Sequence, residues 1–207
     1  MNKKIYHVGR PNIPSKEKVL SRISEVLDNE WLTNNGPMVQ ELEHKIQQYL
    51  GVKHCICVCN ATIGLEILQR ALDLKGEVII PSFTFIATAN SLRWQKIRPV
   101  FCDIKEETHL IDPDLIEELI TEKTSAILAV PIWGQPCNYE ALEKLAKKKN
   151  LRLIFDSAHA FGCKVGKKFL GGFGDAEVFS FHATKVFSTG EGGAITTNSD
   201  ELAERNR

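Results

Sequence analysis

Short β-favouring runs recur along this chain with room for a helix between most of them, and this rhythm restricts the fold more than any other feature. The runs fall at 55–59 (CICVC), 77–81 (EVIIP), 99–104 (PVFCDI), 125–131 (SAILAVP), 152–157 (RLIFDS) and 177–182 (EVFSFH). Strand, helix, strand at this spacing builds right-handed βαβ units and a parallel sheet covered on both faces. A further run at about 194–198 differs, because only a Gly-rich link separates it from the run before. Parallel neighbours need a crossover of roughly a dozen or more residues, so this run is expected to pair antiparallel. The expected fold class is therefore α/β, a three-layer domain around a seven-stranded, mostly parallel sheet with one antiparallel strand.

The segments between the runs carry helix signals. Asp112 reads as a cap with Pro113 at the first helical position of a helix reaching about Leu119. Asn138 precedes another over about Tyr139 to Lys149, apolar at Leu142, Leu145 and Ala146, with Lys147 to Lys149 expected as a solvated last turn favoured by the helix dipole. Gly162, Gly166, Gly171, Gly172 and Gly174 mark the stretch between 157 and 177 as loops or a hairpin. Ahead of the sheet, residues 1–14 read as an extended arm with Pro11 and Pro14. Ser15 then caps a helix whose Val19, Leu20, Ile23, Val26 and Leu27 share one side. The turn Trp31–Pro37 (WLTNNGP) leads to a second amphipathic helix with Met38, Leu42, Ile46, Tyr49 and Leu50, stopped by Gly51. Ser199-Asp200-Glu201-Leu202 opens a last capped helix.

Charge and cysteine usage narrow the function. With 26 basic and 26 acidic residues there is no basic excess for nucleic acid or an anionic membrane. The apolar runs are strand-length, too short to span a bilayer. The start, Met1 to His7, has no apolar signal core after its basic residues, so a cytoplasmic location is the default. Cys55, Cys57 and Cys59 alternate on one face of a strand as small apolar residues, no CxxC pair exists, and no metal site is expected.

Ligands of such sheets bind at the carboxyl ends of the strands, and four candidates lie there. Asn60-Ala61-Thr62 opens a helix whose free N–H groups suit a phosphate, or is an ordinary Asn cap. Phe85 offers a ring at the same edge, or is a core Phe. Asp156 ends a buried run and is either a local turn acceptor or the partner of a cationic ligand atom. Lys185 follows Ser180 and His182 and is either a surface Lys beside a hairpin or a poorly hydrated, nucleophilic amine. Together they are the parts needed to hold pyridoxal phosphate. Two glycine-rich stretches are set aside: Gly162–Lys168 (GCKVGKK) and Gly171–Gly174 (GGFG) lack phosphate-loop and dinucleotide spacing.

The segments Trp31–Pro37, Asn60–Leu65 (NATIGL), Pro81–Thr88 (PSFTFIAT), Phe155–Gly162 (FDSAHAFG) and Ser180–Ile195 (SFHATKVFSTGEGGAI) resemble the DegT/DnrJ/EryC1/StrS sugar-nucleotide aminotransferases, enzymes of the fold-type-I pyridoxal phosphate superfamily. The resemblance is strongest to members that aminate C4 of a dTDP-4-keto-6-deoxyhexose. It implies Lys185 as the lysine that bonds the cofactor and shuttles protons, and Asp156 as partner of the pyridine nitrogen. It implies Ala61 and Thr62 main chain with Ser180 on the phosphate, Phe85 and Ala158 on the two ring faces, and His159 on the ring hydroxyl, where many members have Gln. Ala61 replaces a common Gly. A dehydrating relative has His in place of the Lys, so Lys185 points away from that chemistry. The implied substrates are glutamate and a nucleotide-linked ketosugar, with a homodimer in which the partner's later segment completes the phosphate site and the Thr33-Asn34-Asn35 loop lies near it. The expected organisation is an N-terminal arm and helix over 1–36 and an incomplete cofactor-binding large domain over 37–207, without the family's C-terminal small domain. The alternative is a cofactor-binding or dimerisation module without turnover.

Overall fold

The computed structural model describes residue 9, residues 11–13 and residues 15–207. Its order is α1 (Lys16–Asp28), α2 (Pro37–Leu50), β1 (His54–Val58), α3 (Ala61–Ala71), β2 (Glu77–Pro81), α4 (Ile86–Trp94), β3 (Arg98–Cys102), α5 (Pro113–Leu119), β4 (Thr124–Ala129), α6 (Tyr139–Lys149), β5 (Arg152–Asp156), β6 (Lys164–Val165), β7 (Lys168–Phe169), β8 (Ala176–Ser180), β9 (Gly193–Thr197) and α7 (Asp200–Arg205). Seven strands form one sheet in the order β1-β9-β8-β5-β4-β2-β3. Strand β9 runs antiparallel to both β1 and β8, and the other five form parallel pairs with one another wherever they touch. The expected sheet, with its single reversed strand, is the one observed.

Side chains of each strand alternate between two apolar layers. Phe155, Phe179, Ile127 and Ile79 face α2, α5 and α6, packing with Ile46, Ile116 and Leu142. Ile154, Val178, Leu128 and Ile80 face the other way, packing with Leu65 and Leu68 of α3, Leu92 of α4 and Leu202 of α7. Asp112, Asn138 and Ser199 accept bonds from main-chain N–H groups at the starts of their helices, and Gly51 ends α2 in the left-handed conformation, as the capping signals require. The glycine-rich stretch after β5 contains the expected hairpin, β6 paired antiparallel to β7 around Gly166. The GCKVGKK segment is therefore largely that hairpin.

Three expectations need amendment. The arm over residues 1–14 lies largely outside the described residues. Helix α1 forms behind its Ser15 cap, but none of its residues is buried, and Val19, Leu20, Ile23 and Leu27 are exposed. Periodicity fixed the helix; it could not say what its apolar side would meet. The basic end of α6 is not merely solvated, since Lys148 and Lys149 both reach Glu117 of α5, at 3.1 and 2.7 Å.

One buried acid ties the glycine-rich stretch to the sheet. Glu177 of β8 has no exposure. It accepts from the main-chain N–H groups of Gly171 and Phe173 and from the Ser157 hydroxyl, the last at 2.6 Å. Burial raises its carboxyl to about 6, against those three bonds. The folded state therefore binds the proton more tightly than the unfolded chain, and stability falls as pH rises from about 4.5 to about 6. Glu177→Ala strands three buried donors and is expected to lower the unfolding free energy by about 3 kcal/mol. Glu177→Gln is expected to cost far less and to abolish the change in stability across that pH window, as read from urea unfolding between pH 4 and 7.

Candidate active site

Because all strands but β9 point the same way, their carboxyl ends share one edge, and a cavity of about 510 Å³ opens there. Ala61, Thr62, Phe85, Asp156, Ala158, His159, Ser180 and Lys185, the eight residues expected at the site, all line it.

The cavity's floor is a helix start. Asn60 accepts from the Ile63 N–H at 3.0 Å and so is a cap, while the N–H groups of Ala61 and Thr62 have no partner among the described residues. The ordinary cap is observed, and it leaves two donors at the helix start without a partner among the described residues. Glycines bring α3 this close to the sheet. A Cβ on Gly193 would stand 2.9 Å from the Ala61 nitrogen and 2.7 Å from the Phe179 carbonyl oxygen, and one on Gly64 would stand 3.0 Å from Val178 Cγ1. Ala61 itself is buried and does not hold the helix away. Ser180, the last residue of β8, faces the same space.

Asp156 ends β5 and is 6% exposed. Its Oδ2 accepts from Thr88 Oγ1 at 2.7 Å and its Oδ1 from the Ala158 N–H at 3.3 Å. No cation of the described residues lies within 4.0 Å of it. Burial raises its carboxyl, and those two bonds oppose the rise. Lys185 lies not at the strand exit but on the turn beyond it, its N–H bonded to the His182 carbonyl at 2.9 Å. Phe181 and Phe187 seat that turn against Phe161, with ring centres 4.8 to 5.3 Å apart. Lys185 is half-buried, which pulls its amine below the usual lysine range, and the Asp156 charge resists that shift. This half-burial sets Lys185 apart from a fully solvated lysine.

His159 Nδ1 accepts from the Trp133 N–H at 3.2 Å. That bond assigns the proton of the neutral ring to Nε2. Burial, then the Lys185 charge, lowers its pKa against the pull of Asp156, which favours the neutral ring with its donor at Nε2. Trp133 makes this contact from a left-handed backbone, φ 53°. Phe85 is 68% exposed, which excludes the core reading.

Sequence reasoning left out Thr84, Thr88, Ile132, Thr184 and Glu191, and gave His182 no role. All but Thr88 line the cavity. Thr84 lies just ahead of α4 and Thr88 in its first turn, and no helical spacing in the sequence signalled that their hydroxyls meet at 2.8 Å. The Thr33-Asn34-Asn35 loop does not line this cavity; Thr33 bounds a separate pocket with Val26, Trp31 and Met38.

A conserved-family model for DegT/DnrJ/EryC1/StrS aminotransferases matches residues 14–207. The chain belongs to this family. Over 205 residues it is 46% identical to a dTDP-4-amino-4,6-dideoxy-D-glucose transaminase of Shigella dysenteriae, covering 99% of this chain and 56% of that protein. The crystal structure of DesI in the presence of its TDP-sugar product superposes with a TM-score of 0.95 at 47% identity, over 97% of this chain and 51% of that one. The PLP form of the putative sugar aminotransferase Spr1654 from Streptococcus pneumoniae superposes at 0.91 and 30% identity, over 97% and 56%. The chain thus spans about half the length of these relatives.

Two outcomes follow from the geometry. Asp156→Asn removes the charge that props up the Lys185 amine, so the amine is expected to lose its proton at lower pH than in the parent, as followed by the pH dependence of its modification by an amine reagent. Gly193→Ala is expected to push the start of α3 off the sheet and to weaken binding of inorganic phosphate or pyridoxal phosphate at least tenfold by titration calorimetry, while Ala61→Gly leaves it within about threefold.

Proposed function

We propose that residues 37–207 form the cofactor-binding large domain of an aminotransferase that uses pyridoxal phosphate to move an amino group from glutamate to a nucleotide-linked 4-keto-6-deoxy sugar. The observation that carries this reading is a buried carboxylate without a cation, Asp156, in one cavity with an amine that burial biases toward its neutral form, Lys185. A protonated pyridine nitrogen is the cation such a carboxylate lacks. The donor set fits the rest of the cofactor. The free N–H groups of Ala61 and Thr62 with the Ser180 hydroxyl suit a phosphate. The His159 Nε2–H suits a ring hydroxyl, and Phe85 and Ala158 suit the faces of a flat ring. The names of the relatives support the substrate class, and the family supports the aminotransferase chemistry.

Pyridoxal phosphate, when bound, supplies a carbonyl that takes up an amino group and a ring that delocalises the charge left when a proton departs. The chain supplies the rest. Asp156 holds a proton on the ring nitrogen and keeps the ring electron-poor. Lys185 Nζ, neutral, would take the proton from the amino-bearing carbon of the donor, and the resulting ammonium would supply the proton that the carbonyl carbon of the ketosugar must gain. Ala61, Thr62 and Ser180 fix the phosphate so that Lys185 meets the reacting carbon in one geometry. A second copy of the chain is proposed as the partner, and the cytoplasm as the location. Among the described residues no helix is long and apolar enough to cross a membrane.

Pyridoxal phosphate is expected to give the chain a visible absorbance band and to raise its melting temperature. Lys185→Ala is expected to lose the band and to lower amine exchange between glutamate and a dTDP-4-keto-6-deoxyhexose by at least about a hundredfold. Absence of the band in the parent chain sinks the reading. A band without exchange assigns the chain to cofactor binding without turnover.

A further inference from the structure

Asp156 is approached from behind by a wall that is apolar except along one line. Helices α3 and α4 pack through Leu65, Leu68, Ala89 and Leu92. Within that interface Gln69, Thr88 and Ser91 have no exposure at all. They are linked in series. The Gln69 amide N–H donates to Ser91 Oγ at 2.8 Å, and the Ser91 hydroxyl donates to the Thr88 carbonyl oxygen at 3.1 Å. Thr88 Oγ1 donates to Asp156 Oδ2 at 2.7 Å, and Thr84 Oγ1 lies 2.8 Å from Thr88 Oγ1.

Counting protons gives the line a direction. Thr88 has one hydroxyl proton, and an ionised Asp156 can only accept. Thr84 is therefore the donor to Thr88, and Thr88 the donor to Asp156. The first half of the line holds the Thr88 main chain; the second half holds its hydroxyl. Helix packing alone does not call for such groups, since apolar side chains of the same shape would fill the interface at no loss of stability. Gln69 Oε1 is left without a partner, which makes the line costlier still. What the line reaches is Asp156, a buried carboxylate that lines the cavity.

We infer that Thr88 is a positioning residue for Asp156, fixing the rotation of its carboxylate and leaving an oxygen lone pair open to the ring nitrogen, with Thr84 as the second link. This rests on the cofactor reading above. The titratable groups that face Asp156 are His159, from the loop after β5, and Lys185, from the turn after β8; α4 contributes only this hydroxyl. Among the influences that favour the ionised carboxylate, the Thr88 bond comes first, ahead of the Ala158 N–H, His159 and Lys185.

The test compares Thr88→Val, which swaps the hydroxyl for a methyl of similar size, with Thr88→Ser, which keeps the hydroxyl, and with Thr84→Val. Carbon-13 NMR of the cofactor-free chain reads the Asp156 carboxyl directly, and titration with pyridoxal phosphate reads affinity. Thr88→Val is expected to move the Asp156 titration to higher pH and to weaken the cofactor about tenfold. Thr88→Ser is expected within about twofold of the parent, and Thr84→Val to shift the titration in the same direction by less. An unchanged Asp156 titration in folded Thr88→Val, or a Thr88→Ser variant as impaired as Thr88→Val, overturns the role of Thr88. Should Thr88→Val not fold, an unchanged titration in Thr84→Val overturns it. A parent chain that takes up no pyridoxal phosphate overturns the cofactor reading itself, a result distinct from any failure of the Thr88–Asp156 coupling.

Discussion

The reversal of β9 is the constraint on which the site depends. The link over 181–192 contains no helix and closes on itself, with the Phe181 N–H on the Gly192 carbonyl and the Thr189 N–H on the Phe181 carbonyl. Closed in this way, it returns the chain at the same edge of the sheet, and β9 runs back antiparallel between β8 and β1. That return places Gly193 under the first turn of α3. It also leaves the closed link, with Lys185 on it, standing over the edge where β5 and β8 end. One topological event thus brings together three segments distant in sequence: the start of α3, the Asp156 corner and the Lys185 turn.

The electrostatics of that edge are deliberately incomplete. The other buried carboxylates of the described chain have fuller partners, and Glu43 and Glu77 each meet an arginine. Glu177 receives three donors, and Glu117 receives two lysines. Asp156 is buried and receives two neutral donors only. Burying a carboxylate this way costs stability, and the cost is recovered only when a cation arrives. The same burial that raises the Asp156 carboxyl lowers the Lys185 amine and the His159 ring. Burial therefore acts on all three groups at once, which is what the proposed roles of carboxylate, amine and imidazole require.

Apolar surface left open has a similar logic. The exposed side of α1, the Phe85 ring and the neighbouring Ile86 are large hydrophobic groups facing outward. The chain spans about half the length of the relatives it matches.

By itself the sequence determined the strand and helix periods, their caps and the reversed strand, because these rest on local spacing, turn chemistry and the length of a link. Asp112-Pro113, Asn138 and Gly51 were legible as helix signals without any tertiary context. The lysine and the aspartate stood out beside buried runs, but spacing alone left each with a purely structural alternative. The fate of the α1 apolar side, the pairing of Lys148 and Lys149 with Glu117, the tautomer of His159 and the line from Gln69 to Asp156 were not legible. Each depends on where a second segment lies: a main-chain N–H from Trp133 selects the imidazole nitrogen, and α4 laid on α3 turns a plain Thr into the neighbour of a buried carboxylate. Spacing along a chain fixes which residues share a face, whereas the donors and the dryness around a charged group are set only when distant faces pack.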